Sequence, residues 1–355
     1  MGPYAHGALT ALVTGVGAPP GVSIMKALRQ SALAPRVVAT DAEPASVGLH
    51  RADAAYVLPR ADADGERYLL QLAEICLRER VSLVCLGSEA ELVHVAPHRE
   101  VIERRTGARV VVNAPETLAA LMDKWTLTLA LRAKDLPVPD TALGSDAEGV
   151  RALLARHPFP LVVKPRHGSG SRHLHAVPDE DALRAALRLV PDPVVQEYLR
   201  PDDQEYSVGV YRSPRLGTVG QIVFRRTLAA GLTYKAEVVG DPEIEAVSRR
   251  AADAFDLLGP VNVQLRKTAA GPRIFEINPR FSSSAPMRAG FGFNEAELCL
   301  RDLVLEEAVT APAVRPGHAL RFWDEVYVTP EEQWHLRANA AGGVRGRSGK
   351  RVDDF

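Results

Sequence analysis

The chain has 355 residues and a mass of 38.4 kDa, which at roughly 150 residues per domain predicts two or three domains. Hydrophobic residues make up 46% of the sequence and charged residues 25%. This composition is typical of folded globular proteins and unlike that of disordered or fibrous chains. Lysine and arginine number 43 against 44 aspartate and glutamate, so the net charge of −1 provides no general attraction for nucleic acid or an anionic membrane.

Three cysteines, Cys76, Cys85 and Cys299, are far apart in the sequence and form no CxxC motif. This spacing argues against a disulfide scaffold and a structural zinc site, and it favours a reducing compartment. No apolar run approaches the roughly 20 residues that span a bilayer. Residues 1–7 lack the basic region and the apolar core of a secretory signal. We therefore expect a cytoplasmic enzyme or ligand-binding protein.

The first part of the chain alternates strand-like and helix-like segments. An apolar stretch at 8–14 precedes a glycine-rich turn at 15–21 and a segment with helical apolar spacing. Further strands are predicted at 36–41, 81–87 and 108–113, with a helix at 68–80. Strands that alternate with helices predict a parallel sheet covered on both faces. Residues 1–113 are thus expected to form a small doubly wound α/β domain.

The second part of the chain has a different pattern. Residues 114–136 have helical spacing, and residues 159–177 predict two strands joined by a glycine turn. Because so short a turn cannot hold a parallel crossover, these strands should be antiparallel. Helices are also predicted at 179–190 and 243–258, and strands at 194–199 and in several later segments. We expect an α+β arrangement around an antiparallel sheet, followed by a solvated tail at 342–351.

The sequence IFEINPR at 274–280 carries the strongest chemical signal. Alternate side chains of a strand share a face, so Glu276 and Asn278 should point the same way, and Gln264 lies on the preceding predicted strand. Carboxylate and amide oxygens suit a hard cation such as Mg²⁺, which takes further ligands from phosphates. Arg280 beside them could bind a phosphate or a carboxylate in bidentate fashion. The alternative is a hairpin with a polar, solvent-facing side.

A lysine and a glycine-rich loop form the second signal, VVKPRHGSGSR at 162–172. Lys164 ends an apolar strand, and glycines allow backbone N–H groups to approach an anion. An ordinary hairpin turn is an equally good interpretation of the loop alone. Two weaker signals are Lys124 on a predicted helix and the strand at 194–199, whose end could offer backbone groups to an adenine with Glu205 near the ribose.

Taken in order, these motifs resemble the ATP-grasp superfamily, and most closely its carbamoyl-phosphate-synthase-like branch, over about residues 8–305. The most specific elements are NVQL at 262–265 and FEINPRFSSS at 275–284. The resemblance implies an ATP-grasp fold in four parts: a Rossmann-like pre-ATP-grasp domain over 1–113, a linker helix and lid subdomain over 114–195, a catalytic lobe over 196–310 and a C-terminal extension over 311–355. ATP would lie between the lid and the catalytic lobe.

The resemblance also implies roles for individual residues. Those implied to bind the nucleotide are Lys124 and Lys164 at the phosphates, Ser169, Gly170 and Ser171 in a phosphate loop, Glu197, Tyr198 and Leu199 at the adenine, Glu205 at the ribose, and Lys235 on a strand facing the nucleotide. Gln264, Glu276 and Asn278 match the family's magnesium ligands. Arg280 matches the arginine at the transferring phosphoryl and acyl groups. The implied cofactors are ATP and Mg²⁺, or Mn²⁺ in its place.

Two departures from the family's pattern bear on the expected activity. Carbamoyl phosphate synthases have two ATP-grasp halves and work with a glutaminase, whereas this chain has one half. They often have a second arginine shortly after the NPR motif, where this chain has Ser283. Both departures argue against bicarbonate as substrate. A single-half member more often resembles a carboxylate–amine ligase, such as an amino-acid or peptide ligase, which forms an acylphosphate and releases ADP and phosphate. We expect small-molecule substrates, with a homodimer as one assembly option.

Some assignments remain open from the sequence. Arg288 is a candidate anchor for a substrate carboxylate, with a packing role equally compatible with its position. Arg225 and Arg226 are adjacent on a predicted strand, so at most one of them can face the nucleotide.

Three other functions compete with the ligase interpretation. A dinucleotide-dependent oxidoreductase would use the turn at 15–21, but Pro20 occupies the place of the third glycine of G-x-G-x-x-G, and residues 160–280 would stay unexplained. A non-catalytic ATP-binding sensor conflicts with the complete set of metal-ligand candidates. An acylphosphate-forming enzyme with a thiol or hydroxyl acceptor fits the same motifs.

Overall fold

The computed structural model describes residues 9–168, 170, 172–322, 324–338, 343–347 and 350–351. The described residues form a six-stranded, mostly parallel sheet, a four-stranded antiparallel sheet, a six-stranded antiparallel sheet and one two-stranded pair. The doubly wound first domain and the α+β second part predicted from the sequence are both confirmed.

The N-terminal sheet places two connecting turns side by side. Its parallel strands are β1 (Thr10–Val13), β2 (Arg36–Asp41), β3 (Ala54–Val57), β4 (Leu83–Cys85) and β5 (Arg109–Val111), in the order β3-β2-β1-β4-β5. Its helices are α1 (Pro19–Arg29), α2 (Gly65–Glu79), α3 (Glu89–Val95) and α4 (Arg99–Thr106). The strand order reverses between β1 and β4, which is where open α/β sheets place their ligand crevices. A Cβ on Gly87 would lie 2.1 Å from Thr14 O, so the two turns can meet only if this residue is glycine.

The helix predicted over 114–136 is divided into α5 (Pro115–Met122) and α6 (Lys124–Arg132). The division is at Asp123, whose backbone is extended and whose side chain accepts a hydrogen bond from Trp125 N at 2.8 Å. An aspartate in this position caps the helix that follows it. Lys124 therefore begins a new helix, with a fixed position at its first turn.

The four-stranded sheet forms a small separate layer. Its strands are β6 (Thr141–Leu143), β7 (Leu161–Pro165), β8 (His175–Val177) and β9 (Pro193–Glu197), in the order β6-β9-β7-β8, and its helices are α7 (Ala147–Arg156) and α8 (Glu180–Leu189). Strands β7 and β8 are antiparallel, as predicted for the glycine turn. The two helices pack on the sheet through a cluster of aliphatic side chains that includes Val150, Leu153 and Leu183.

The large antiparallel sheet is covered on both faces. Its strands are β10 (Glu205–Ser213), β11 (Gly217–Ala229), β12 (Leu232–Val238), β13 (Gly259–Thr268), β14 (Gly271–Asn278) and β15 (His318–Leu320), in the order β14-β13-β10-β11-β12-β15. Helix α9 (Pro242–Ala254) packs on one face; α10 (Ala285–Gly290) and α11 (Glu295–Cys299) pack on the other, together with α1 of the first domain. The sheet and the first domain thus share one hydrophobic core, which holds them in a fixed relation.

The C-terminal segment contains β16 (Val326–Tyr327), α12 (Pro330–Ala338), β17 (Val344–Arg345) and β18 (Lys350–Arg351). Strand β17 pairs antiparallel with β3, and Arg345 donates a 2.9 Å hydrogen bond to the buried carboxylate of Glu79. The predicted solvated tail at 342–351 is therefore paired with the first sheet at β17, although the Arg345 side chain stays 66% exposed. No sequence pattern indicates this pairing, because a two-residue strand has no periodicity. In the described part of the chain, no helix has the length and apolar composition that crossing a membrane requires.

Candidate active site

A cleft of about 570 Å³ lies between the four-stranded sheet and the large antiparallel sheet. One part of its lining is apolar and contains Val162, Ala176, Leu199 and Phe275. The other part is charged and contains Glu89, Lys124, Lys164, Arg226 and Glu276. An apolar slot that continues into a cationic region with one carboxylate corner is suited to a ligand with a flat apolar end and a polyanionic end.

The carboxylate corner is formed by the hairpin of β13 and β14. Gln264 pairs in register with Glu276, and Asn262 with Asn278. Glu276 Oε1 accepts hydrogen bonds from Gln264 Nε2 at 3.1 Å and from Asn278 Nδ2 at 2.7 Å. The structure therefore brings together the three predicted metal ligands. One carboxylate and two amides form the all-oxygen donor set that Mg²⁺ prefers, so these residues fit such an ion.

Lys164 on β7 faces this corner across the cleft. Only 5% of its surface is exposed, and its Nζ donates to Gln196 Oε1 at 2.9 Å. Burial lowers the pKa of Lys164 to about 8, helped by the neighbouring Lys124 and opposed by Glu276. Among the described residues no carboxylate is within hydrogen-bond contact of this buried ammonium group, which is therefore poised to receive an anionic ligand.

Lys124 connects α6 to the glycine-rich loop. Its Nζ donates to Gly168 O at 2.8 Å and its backbone N–H to Arg166 O at 3.0 Å. Burial lowers the pKa of Lys124, while Glu276 and Glu89 oppose the decrease. Both predicted phosphate lysines are thus at the charged part of the cleft.

The predicted loop residues Ser169 and Ser171 lie outside the described residues. Gly170 between them has a φ of +73°, and its carbonyl would be 2.1 Å from a Cβ placed on Gly231. The loop therefore touches the turn between β11 and β12, and this contact requires glycine at 231.

The predicted adenine hinge lies at the end of β9, where residues 197–199 line the cleft. The Glu197 carboxylate is turned toward the start of β6, because it accepts the Asp140 backbone N–H at 2.8 Å. The Leu199 carbonyl accepts a 2.9 Å bond from Arg266. The side chain of Glu197 is thus used in positioning the hinge.

Glu205, the predicted ribose acid, lies between two arginines. One carboxylate oxygen accepts from Arg226 at 2.9 Å and the other from Arg266 at 2.7 Å. Arg226 lines the cleft and Arg225 pairs with Glu237 on the opposite face of β11, as strand alternation requires. Arg226 also donates to Gln264 Oε1 at 2.6 Å, so the ribose acid and the metal corner belong to one hydrogen-bonded network.

Arg280 follows directly after β14. Its guanidinium donates to Glu89 Oε1 at 3.0 Å, across the boundary with the N-terminal domain. Glu89 begins α3, which starts with a capping box formed by Ser88 and Glu91. The N-terminal domain therefore contributes a carboxylate to the cleft at the end where Lys124 and Glu276 lie.

Asn278 and Arg280 are not in the cleft lining themselves but bond to Glu276 and Glu89, which are. Two other predicted site residues lie away from the cleft. Lys235 is exposed and pairs in register with Thr227, one position from the pair Arg226 and Ala236, so it projects from the opposite face of the sheet. Arg288 has 0% of its side chain exposed and pairs with the equally buried Glu295 at 2.8 Å. Its position corresponds to the packing role that the sequence left open.

Glu89 and Gln196 line the cleft but are not among the site residues predicted from the sequence. Ser88-x-x-Glu91 directly after a buried strand is a recognisable capping box, and the carboxyl end of β4 is adjacent to the point where strand order reverses. Those two signals could have identified Glu89. Gln196 lies on β9, and the antiparallel pairing of β7 with β9 brings it to Lys164. No local sequence pattern reveals this pairing.

Two family models match the chain. Residues 190–325 match the family described as ATP-grasp in the biosynthetic pathway with Ter operon, and residues 11–111 match the PylC-like N-terminal domain. The carbamoyl phosphate synthase large chain of Halobacterium salinarum is 23% identical over 280 residues, which cover 75% of this chain and 26% of that protein. The uncharacterized protein y4rH of Sinorhizobium fredii is 26% identical, over 48% of this chain and 38% of that protein. The chain thus spans well under half the length of both relatives.

Solved structures share the fold. N5-carboxyaminoimidazole ribonucleotide synthetase from Thermus thermophilus has a TM-score of 0.67 at 18% identity, covering 90% of this chain and 83% of that one. L-amino acid ligase from Bacillus licheniformis has a TM-score of 0.64 at 17% identity, covering 90% and 82%. The matched domains and this shared fold show that the chain has the ATP-grasp fold, with an N-terminal domain that matches the PylC-like family.

Proposed function

We propose that the protein is an ATP-dependent, ADP-forming ligase that activates a carboxylate as an acylphosphate and transfers the acyl group to an amine. The observation that carries this proposal is that Gln264 and Glu276, with Asn278 bonded to Glu276, line one cleft together with the buried Lys164. Nucleotide phosphates need cations on one side and metal ligands on the other, and this cleft provides both.

The residues of the cleft divide the binding of MgATP between them. The apolar slot beside Leu199 and Phe275 accepts the base, and Glu205 accepts the ribose hydroxyls. Lys124 and Lys164 bind phosphate oxygens. Gln264, Glu276 and Asn278 hold Mg²⁺, which when bound supplies neutralisation of the triphosphate charge.

The reaction begins when the substrate carboxylate attacks the γ-phosphorus of ATP. A C–O–P bond forms and the bond to ADP breaks, so an acylphosphate results. Lys164 and Arg280 offset the negative charge that spreads over the transferring phosphoryl oxygens. The amine then attacks the acyl carbon, and phosphate leaves.

Exclusion of water protects the acylphosphate from hydrolysis. The glycine-rich loop is already tied to α6 through Lys124 and touches Gly231 of the large sheet. We propose that this loop covers the phosphates during turnover.

The class of substrates rests on the comparisons. One solved structure with the same fold is named an L-amino acid ligase and another a carboxyaminoimidazole ribonucleotide synthetase. We therefore propose small-molecule substrates, an amino acid or a similar carboxylate. The free, buried cysteines Cys76, Cys85 and Cys299 support a cytoplasmic location. An acceptor other than an amine is the second candidate, because a thiol or hydroxyl could attack the same acylphosphate.

A coupled ADP-release screen over the standard amino acids and small carboxylates, alone and in pairs, tests the proposed activity. We expect release of ADP that depends on both a carboxylate and an amine, with mass spectrometry detecting the amide. Binding of ATP without substrate-dependent turnover would instead support a nucleotide sensor, and products with thiols or alcohols alone would support the second candidate.

Binding of ATP is expected to take up a proton at alkaline pH. In the free protein Lys164 has a pKa of about 8, so its amine is mostly neutral at higher pH. The phosphates favour the ammonium form and raise that pKa. We expect an uptake near one proton per ATP at about pH 9, and almost none at about pH 6.5, where Lys164 is already charged.

Calorimetric titration of ATP in two buffers of different ionisation enthalpy measures this uptake. Lys164→Met should remove most of it, whereas Lys235→Met, which removes an exposed lysine outside the cleft lining, should leave it unchanged. Equal proton uptake on ATP binding by wild type and by Lys164→Met would show that Lys164 does not contact the phosphates.

A further inference from the structure

Glu89 is the one carboxylate that the N-terminal domain contributes to the described lining of the cleft. The other lining carboxylates are already engaged within the large sheet or the hinge. Glu205 receives two arginines, Glu276 receives two amides, and Glu197 receives a backbone N–H. The role of Glu89 in the reaction proposed above is thus still to be assigned.

The position of Glu89 connects it to the reacting groups. Its Oε1 is 3.0 Å from the guanidinium of Arg280. The negative charges of Glu89 and Glu276 both oppose the lowering of the Lys124 pKa by burial. The Glu89 side chain is about one-third exposed, toward the cleft that it lines. A ligand bound to the guanidinium of Arg280 therefore lies within reach of the Glu89 carboxylate.

We propose that Glu89 binds the ammonium group of the acceptor amine and takes a proton from it. This proposal rests on the ligase function proposed above. The chemical class of the acceptor follows: a primary amine that is cationic in solution, such as the α-ammonium group of an amino acid. The surrounding lysines and arginines repel a cation, so a carboxylate at this end of the cleft is needed to bring the amine to the acyl carbon.

The proton balance of the step assigns each proton a destination. An ammonium nitrogen has no lone pair, and transfer of one proton to the Glu89 carboxylate releases it. The lone pair forms the C–N bond while the C–O bond to phosphate breaks, and phosphate leaves with that electron pair. The second nitrogen proton goes to the departing phosphate, and Glu89 returns its proton to water when the products leave.

Hydroxylamine provides a direct test, because it is uncharged at neutral pH and attacks acylphosphates to give hydroxamates without a prior loss of a proton. With the amino-acid pair found in the ADP-release screen, Glu89→Gln should lower kcat/KM for the amine by about 100-fold. Hydroxamate formation by the same variant should stay within about 3-fold of wild type, and so should KM for ATP. The remaining amide formation should rise with pH as free amine accumulates.

Two further variants secure the interpretation. Glu89→Asp keeps the charge and should retain more amide formation than Glu89→Gln. Glu306→Gln removes another exposed acid that bridges the two domains, through Arg109 at 3.3 Å, and should behave as wild type. Amide formation by Glu89→Gln within about 3-fold of wild type, or an equal loss of amide and hydroxamate, would overturn the role of Glu89 alone. A wild-type protein that turns over no carboxylate and amine would overturn the ligase function itself.

Discussion

Replacing Glu276 by alanine is expected to reduce carboxylate-dependent ADP release by about 10³-fold. Glu276 is the only carboxylate of the candidate metal corner, and it accepts hydrogen bonds from both amides, Gln264 and Asn278. Its loss removes the charge that would hold Mg²⁺ at the phosphates and frees the two amides from their common acceptor. The measurement is steady-state ADP release with the substrates found in the screen, at saturating MgATP.

The matched control for this variant is Glu237→Ala. Glu237 lies on the same sheet and pairs with Arg225, but on the outer face and outside the lining of the cleft. An exposed cross-strand ion pair contributes little to stability, so we expect near wild-type activity. Full activity in Glu276→Ala, with an unchanged melting temperature, would contradict the assignment of the metal corner.

Replacing Arg288 by methionine is expected to lower the free energy of unfolding by about 3–5 kcal/mol. Arg288 and Glu295 form an ion pair in which both side chains are 0% exposed. Arg288 also donates to Ser207 Oγ at 3.1 Å and bonds to Asn262 under the large sheet. The variant leaves the Glu295 carboxylate buried without its cation, which is the costly case for a buried pair. Urea unfolding followed by circular dichroism measures the loss.

The double variant Arg288→Met with Glu295→Leu distinguishes an unpaired charge from a loss of packing. Within the described residues, Arg288 Nε and Glu295 Oε2 have no hydrogen-bond partner, so the pair is incompletely satisfied. We expect the double variant to recover at least half of the stability that the single variant loses. An unchanged urea midpoint in Arg288→Met, together with a large increase in KM for the carboxylate, would contradict the packing role. It would instead support Arg288 as an anchor for the substrate carboxylate.

The strands best predicted from the sequence are those with continuous apolar runs. Strand β2 is observed at Arg36–Asp41, which are the predicted bounds. Its four consecutive buried residues are typical of a parallel strand that is covered on both faces. Strands β3 and β6 have no counterpart among the predicted elements, because four- and three-residue segments show no period. The single helix expected at 114–136 is interrupted at Asp123, where a capping side chain outweighs the apolar pattern on both sides.

The part of the site that depends only on strand geometry was predictable from the sequence. Alternation and a hairpin are sufficient to bring Gln264, Glu276 and Asn278 together, and they do so in the structure. Lys235 projects from the outer face because register across β11 and β12 decides its side of the sheet, and the sequence does not contain that register. Glu89 reaches Arg280 through the packing of two domains, which only the tertiary structure shows.

The arrangement as a whole predicts that nucleotide and divalent cation bind at the hairpin of β13 and β14. Crystals grown with a non-hydrolysable ATP analogue and Mn²⁺ permit a direct measurement, because the anomalous scattering of manganese locates each ion. We predict manganese peaks in contact with oxygens of Glu276 and of its amide neighbours, with the triphosphate between those ions and the ammonium of Lys164. Manganese or nucleotide bound elsewhere, with this hairpin left facing solvent, would contradict the account.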